Sequence, residues 1–429
     1  MSQLAICLII FGITIIGYFS GKYSLATIAI TSLMTLTLTG CLQAKEALGY
    51  FANSNVIMIA GMCIVAAGFN RTKFCTALAD RISVIAKGSL AKMMMGYVLI
   101  GVLLSQFVQS PVSVIGIVAP MLIASAESIG LKPSKVIFPV GIATIITCCT
   151  LPLGAGATIA GELNGYLESY GYTDFTIGFL DPMIARLPLL IIASLYCIFT
   201  AVKLAPDEPT AEIAISGKKK GNAASLNSFQ EAAGIFIFFA DAVGMMFASK
   251  FGLALWQVTV IGALAMVLCG VLKPKEASAA IPLSMLLLIV GALAISGALS
   301  ATGAGELIGA HMANMVTAVG GNSYLVGLIF FVVPFILTQF MSNRGTMMIF
   351  YPIAIATCSA ADLNPTGLMI LIQAACLSAF MTPMATSGVG YIMGCGGYDQ
   401  KSMIKQSIPL AVICCVVSVG WIMTMFPLK

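Results

Sequence analysis

Leu337-Thr-Gln-Phe-Met-Ser-Asn-Arg-Gly-Thr346 is a polar cluster in the middle of a long apolar stretch, residues 322–360. The arrangement occurs once more, where Gln106 to Ser113 interrupts the apolar stretch 93–124. About 15 apolar residues on either side of a polar tip are short for a bilayer crossing, which takes about 20. Each stretch therefore reads as a re-entrant hairpin of two half-length helices that enters and leaves on one side. Irregular backbone at membrane depth is tolerated only where protein buries it or it lines a cavity.

The rest of the chain has the same solvent. Of 429 residues, 59% are hydrophobic and 9% charged, against about 25% charged in soluble domains. This excludes a water-soluble fold, and with it disorder, coiled coil and nucleic-acid binding, each of which needs abundant charge. Met1 to Phe19 has no basic start and no small-residue cleavage site, so it reads as a first span and not a signal peptide. The 13 cysteines include Cys148–Cys149 and Cys414–Cys415 but no C-x-x-C, and they read as small hydrophobes of a helix bundle. With His311 as the single histidine, no metal-ligand spacing exists.

Spans of crossing length fall at 3–19, 24–41, 55–70, 136–160, 184–202, 232–249, 254–272, 281–300, 366–392 and 408–426. Cytoplasmic loops collect Lys and Arg. With ten crossings and two hairpins, one side receives 16 of the 21, among them Arg71, Lys73, Arg81, Lys87, Lys132, Lys135 and Lys218–Lys220. The opposite side receives Lys45, Lys250 and Lys429, and its loop 161–182 carries acids and no base. Both termini are then expected outside.

The chain also repeats itself. Lys45-Glu-Ala47 recurs as Lys275-Glu-Ala277, Gln106-Phe107 as Gln339-Phe340, Pro120 as Pro352, Pro133 as Pro365, Pro152 as Pro383, and Gly165-Tyr166 as Gly397-Tyr398. Five crossings per repeat is an odd number, so the halves are expected to be inverted. The expected architecture is an all-α polytopic membrane protein: an N-terminal repeat 1–203, a charged cytoplasmic linker 204–230 and an inverted C-terminal repeat 231–429. Each half has a second interruption, Thr150-Leu-Pro-Leu-Gly-Ala-Gly-Ala-Thr158 and Thr382-Pro-Met-Ala-Thr-Ser-Gly388. There Pro and Gly unwind a helix and free carbonyl and N–H groups to face a ligand. Inverted repeats with helices broken near the midplane point to a secondary transporter.

At these residues the chain resembles the ion transporter superfamily, and within it the divalent anion:sodium symporters of dicarboxylates, citrate and sulfate. The likeness rests on Glu46-Ala-Leu-Gly-Tyr-Phe-Ala-Asn-Ser-Asn-Val-Ile-Met-Ile-Ala-Gly61, the tip 337–346, the Pro383-Met-Ala-Thr-Ser break and the Gly396-Gly-Tyr398 turn. It implies a homodimer in the lipid bilayer of the cell membrane, with a fixed scaffold and a moving transport domain, and a small anionic substrate. No cofactor is implied; Na+ or H+ is the candidate coupling ion. Carried over by motif, a first sodium site falls on Ser105, Gln109 and Ser110 with backbone of Gly154 and Gly156. A second falls on Thr338, Asn343 and backbone near Met341 and Ala385. Substrate would lie between the tips, near Ser110, Thr158, Asn343 and Thr386. The first tip reads Gln109-Ser110-Pro111 where that family has Ser-Asn-Thr, and the second has Arg344 in place of Thr. A guanidinium there is expected to replace the second sodium or to clamp the anion directly.

Other charges read less sharply. Asp241, inside span 232–249, is either a proton relay or cation ligand, or a partner for a scaffold Arg or backbone. Glu162, Glu306 and His311 sit at expected span ends, solvated, and Arg186 is expected to snorkel or pair with Asp181. The competing function is a cation/proton antiporter, which needs two or more midplane acids. An enzyme is not expected, since no H-E-x-x-H or nucleotide loop occurs.

Overall fold

The computed structural model describes residues 2–20, 22–74, 77, 89–108, 111–213, 226–281, 283–304, 307, 322–340, 342–382 and 386–429. Among these the regular structure is helical throughout. The first half runs α1 (Gln3–Ser20), α2 (Leu25–Leu38), α3 (Ala44–Gly49), α4 (Ser54–Asn70), α5 (Leu90–Phe107), α6 (Pro111–Glu127), α7 (Pro133–Thr147), α8 (Ile159–Tyr170) and α9 (Asp181–Tyr196). The second runs α10 (Ser228–Phe247), α11 (Leu255–Leu268), α12 (Pro274–Ala280), α13 (Leu283–Ala301), α14 (Ser323–Thr338), α15 (Asn343–Ala361), α16 (Thr366–Leu377), α17 (Ser387–Gly396) and α18 (Gln400–Met425). Local chemistry sets many of these starts. Ser24, Ser89, Ser342 and Asp399 each accept a backbone N–H in the first turn of α2, α5, α15 and α18.

The element order recurs: α2 and α11 start at Leu25 and Leu255, α6 and α15 at Pro111 and Asn343, α7 and α16 at Pro133 and Thr366. Packing recurs as well. α4 lies along α11, and its counterpart α13 lies along α2. Gly61 on α4 meets Thr259 so closely that a Cβ would come within 2.9 Å of the Thr259 carbonyl carbon. Gly291 on α13, the matching position, meets Ala29, where a Cβ would come 2.5 Å from a backbone oxygen. Both approaches need glycine, because small residues let helix backbones approach closely.

The two arms of each expected hairpin are α5–α6 and α14–α15, with the polar tips between them. By length and composition alone, Ala44–Asn70, Leu90–Phe107, Asp181–Leu204 and Gln400–Met425 are able to cross a membrane, with shorter apolar helices around them. The arm Leu90–Phe107 is thus longer than the half-length expected of it.

The expected span 136–160 is corrected. α7 stops at Thr147, residues 148–158 unwind into a break ending in the 3-10 turn Gly154–Thr158, and α8 carries the helix on to Tyr170. Much of the expected outer loop 161–182 is therefore helix. Hydropathy misses it because α8 carries Glu162, Asn164 and Glu168, although Leu163, Tyr166 and Leu167 are buried. The first part of the expected linker is tied down: Thr210 and Ala211 donate their N–H groups to Gly397 O at 2.8 and 2.9 Å, and Lys135 pairs with Asp207 at 2.7 Å. Arg81, Lys87, Lys218–Lys220, Glu306 and His311 lie outside the described residues.

Candidate functional site

Two glutamines organise the breaks. Gln106, at the end of α5, is buried; its Nε2 donates to Val102 O, Ser105 Oγ and Thr147 O, and its Oε1 accepts from the N–H groups of Thr150 and Leu151 at 3.1 and 3.0 Å. Gln339, its counterpart on the second tip, donates to Phe335 O and Ser378 O and accepts from Met381 N–H at 2.9 Å. Each amide replaces the hydrogen bonds that an unwound helix loses. The recurrence of Gln-Phe was the sequence signal for this role, which had not been assigned. Gly154 adopts φ +56°, and at Gly156 a Cβ would collide with Leu151 O; these two glycines let the break fold on itself.

Between the breaks and tips lies a cavity of about 300 Å³ lined by Pro111, Cys148, Cys149, Thr158, Ile159, Glu162, Asn343, Arg344, Gln373 and Thr386, among others. Such a volume is at the small end of the range for ligand sites, about 300–1,000 Å³. Four helices begin in or next to its wall: α6 at Pro111, α8 at Ile159, α15 at Asn343 and α17 just after Thr386. A helix N-terminus carries about half a positive charge, although Ser342 and Thr386 each accept one first-turn N–H here. Of the residues expected at the substrate, Thr158, Asn343, Arg344 and Thr386 share this lining, and Ser110 lies outside the described residues.

The expected sodium ligands divide. Ser105 donates its hydroxyl to Val102 O at 2.8 Å and meets Thr147 Oγ1 at 3.2 Å, facing the first break. Gly154 and Gly156 are buried in that break. Thr338 donates to Asn343 Oδ1 at 3.0 Å across the second tip. Gln109, Met341 and Ala385 lie outside the described residues.

Charge enters the cavity at Arg344. Its Nη1 donates to both carboxylate oxygens of Glu162 at 2.5 Å, joining the second tip to α8. The Arg344 side chain is 33% exposed, whereas the Glu162 side chain is 5% exposed. Its Nε and Nη2 have no hydrogen-bond partner among the described residues, so one edge of the guanidinium fork stays open. The expectation of a solvated Glu162 is thus corrected. Continuing the helix to Tyr170 puts Glu162 inside the protein, where an ionised acid is costly without a partner.

Arg186 is corrected too. It is 1% exposed and caps the end of α7, with Nη1 donating to Cys148 O and Cys149 O and Nη2 to Ile146 O. Asp181 instead accepts the Gly178 N–H. The carbonyls freed by the break are what draw Arg186 inward. Asp241 is buried between α10, α11 and α4, near Gly262 and Val65, and neither carboxyl oxygen has a hydrogen-bond partner among the described residues. This overturns the reading of it as partner to an Arg or backbone group.

Two broken helices, two tips and a shared cavity define a class, the polytopic helical membrane transporters. MtrF of Neisseria gonorrhoeae, described with a class of antimetabolite efflux pumps, has the same fold at TM-score 0.59 and 12% identity, covering 100% of this chain and 96% of its own. The YdaH transporter of Alcanivorax borkumensis superposes at TM-score 0.61 and 14% identity, covering 88% and 86%. The chain belongs to the citrate transporter family, whose profile matches residues 6–346. An uncharacterized transporter of Haemophilus influenzae is 24% identical over 91% of this chain and 86% of its own length. An uncharacterized transporter of Synechocystis is 30% identical over 154 residues, and the match spans 24% of that longer relative. A sodium-dependent low-affinity dicarboxylate transporter of Caenorhabditis elegans is 24% identical over 63% of this chain and 53% of its own. These relatives bear out the resemblance to anion:sodium symporters, and the chain is an integral membrane transporter.

Proposed function

We propose that the protein is a secondary active carrier of a small anion, a di- or tricarboxylate by preference, across the cell membrane. One observation carries this reading: Arg344, with one edge of its guanidinium unused, lines a cavity in whose wall four helices begin. A guanidinium edge matches a carboxylate bidentately. The cation/proton antiporter reading needs two free acids; Glu162 is the one acid among the described lining residues, and Arg344 holds it. Arg344 supplies a fixed charge where the resembling family's tip meets its second sodium, so coupling runs through protons or exchange, with sodium dependence weak. Repeats 1–203 and 231–429 are inverted around linker 204–230, the tips are re-entrant, and both termini face outward. In a homodimer, the tips and broken helices move as one body against a fixed scaffold, an elevator. Uptake of fumarate, succinate, citrate and sulfate into proteoliposomes, with and without sodium or a pH gradient, tests the reading. Accumulation of at least one of them is expected, and uptake of none of them overturns it.

A further inference from the structure

Cys148 and Cys149 are adjacent in sequence, and their sulfurs lie 3.4 Å apart in the first break. Both are free thiols and both line the cavity; Cys148 is 5% exposed, while Cys149 is half-buried. Consecutive residues of a helix point about 100° apart, so a vicinal pair inside a helix is splayed. Cys414 and Cys415 are such a pair: within α18, Cys414 is fully buried and Cys415 is half-buried. What brings the first pair together is the end of α7. Cys148 caps that helix and Cys149 follows at φ +56°, a left-handed conformation that glycine takes most readily in this place. A cysteine here carries a backbone cost that glycine would avoid.

The backbone around the pair is fixed from outside. Arg186 donates to the carbonyls of both cysteines, Cys149 N–H donates to Ser105 O at 3.4 Å, and Gln106 accepts from the next two N–H groups. The thiols are thus held side by side with one of them open to the cavity, the arrangement of an attacking and a resolving cysteine. We infer that Cys148 and Cys149 are a peroxide-sensitive dithiol, which closes to a vicinal disulfide and arrests the carrier in this conformation. The effect on transport rests on the anion-carrier reading; the chemistry of closure does not. As thiolate, Cys149 attacks one oxygen of hydrogen peroxide: an S–O bond forms, the O–O bond breaks, and hydroxide leaves. Cys148 sulfur then attacks the sulfenic acid so formed; an S–S bond forms, the S–O bond breaks, and a second hydroxide leaves. The two protons given up by the thiols convert both hydroxides to water. Two electrons pass from the sulfurs to the peroxide, and a dithiol reductant reverses the change. The ring removes backbone freedom from residues 148 and 149, where α7 gives way to the break.

Hydrogen peroxide applied to proteoliposomes, followed by peptide mass spectrometry, tests the chemistry in the wild type without any variant. The peptide holding both cysteines should become lighter by two hydrogen atoms, keep no added oxygen, and regain its mass in dithiothreitol. Uptake of fumarate, succinate, citrate or sulfate, whichever the reduced protein carries, should fall at least about tenfold with closure and return on reduction. In Cys148→Ser the sulfenic acid has no resolving thiol, and dimedone should tag Cys149. Cys415→Ser should lose uptake in peroxide as the wild type does, each measured against its own reduced rate. An unchanged mass or retained oxygen in the wild type, or no dimedone adduct in Cys148→Ser, overturns the inference. Closure without loss of uptake, or peroxide resistance in Cys415→Ser, overturns it as well. Reduced protein that carries none of the four anions overturns the carrier reading instead, and the mass spectrum still decides whether the dithiol closes.

Discussion

Gln106 and Gln339 act alike in the two halves, each tying a hairpin arm to the unwound segment beyond it. Arg344 and Glu162 have no such counterparts. At the repeat offset of 232, Arg344 matches Val112, and Glu162 matches Gly394. The glycine contacts Gly61–Thr259 and Gly291–Ala29 side with the glutamines, being duplicated. At the cavity, features that build backbone are thus present twice, and the charged pair is present once. A site assembled this way needs both halves, since neither alone holds the acid and the base. Counterpart helices also differ in their neighbours: α8 packs on α13, whereas α17 packs on α7.

Breaking the charged pair gives the largest expected effect. Arg344→Thr should abolish proteoliposome uptake, or leave uptake newly dependent on sodium. It also strands a buried acid, and removing one partner of a buried pair costs about 3–5 kcal/mol. Adding Glu162→Gln should restore thermal stability in detergent without restoring uptake. Normal uptake with unchanged ion dependence in Arg344→Thr would remove the composite site from the account.

The duplicated clamps come next. Gln106→Leu leaves the Thr150 and Leu151 N–H groups without an acceptor, whereas Gln339→Leu strands only that of Met381. Buried unsatisfied groups cost about 1–3 kcal/mol each, so both variants should unfold earlier, Gln106→Leu by more. Equal losses, or a larger loss for Gln339→Leu, would show that the clamps are not what hold the breaks.

The smallest effect lies at the surface of the second half. Glu276 accepts from Lys273 N–H at 2.7 Å and pairs with Arg71 at 2.5 Å. The backbone N–H first, and then Arg71, hold its carboxyl below the ordinary value of 4.5. A depressed acid stabilises the fold above its unfolded value and loses that contribution as pH falls through its folded one. Glu276→Gln should therefore lower the melting temperature slightly at neutral pH, and the two curves should converge in acid below pH 4.5. A gap that widens in acid would contradict the assignment.

Much of this arrangement was legible in the sequence because lipid makes polar interruptions conspicuous. The arms 93–124 and 322–360, both breaks, and Arg344 stood out against long apolar runs. α8 reads as a loop in the sequence because a short helix with two acids has the hydropathy of a connection, even though most of its residues are buried. The partner of Glu162 was hidden for a different reason: Arg344 is 182 residues away, and pairing at that distance leaves no local pattern. Arg186 left still less trace, since its partners are backbone carbonyls that every residue possesses. Recurrence at a fixed offset was the signal that survived distance. It marked Gln106 and Gln339, though it did not say what they held.

The central claim is that the cavity between the halves is where the anion binds. Cys149 lines that cavity, between Arg186 and Arg344, and is half-buried. Its rate of modification by a negatively charged methanethiosulfonate can be followed by peptide mass spectrometry, with Cys269 at the far end of α11 as a control. A transported anion at saturation should slow the reaction at Cys149 several-fold and leave Cys269 unchanged. Unaltered modification of Cys149, in protein that demonstrably carries the anion, would place the binding site elsewhere.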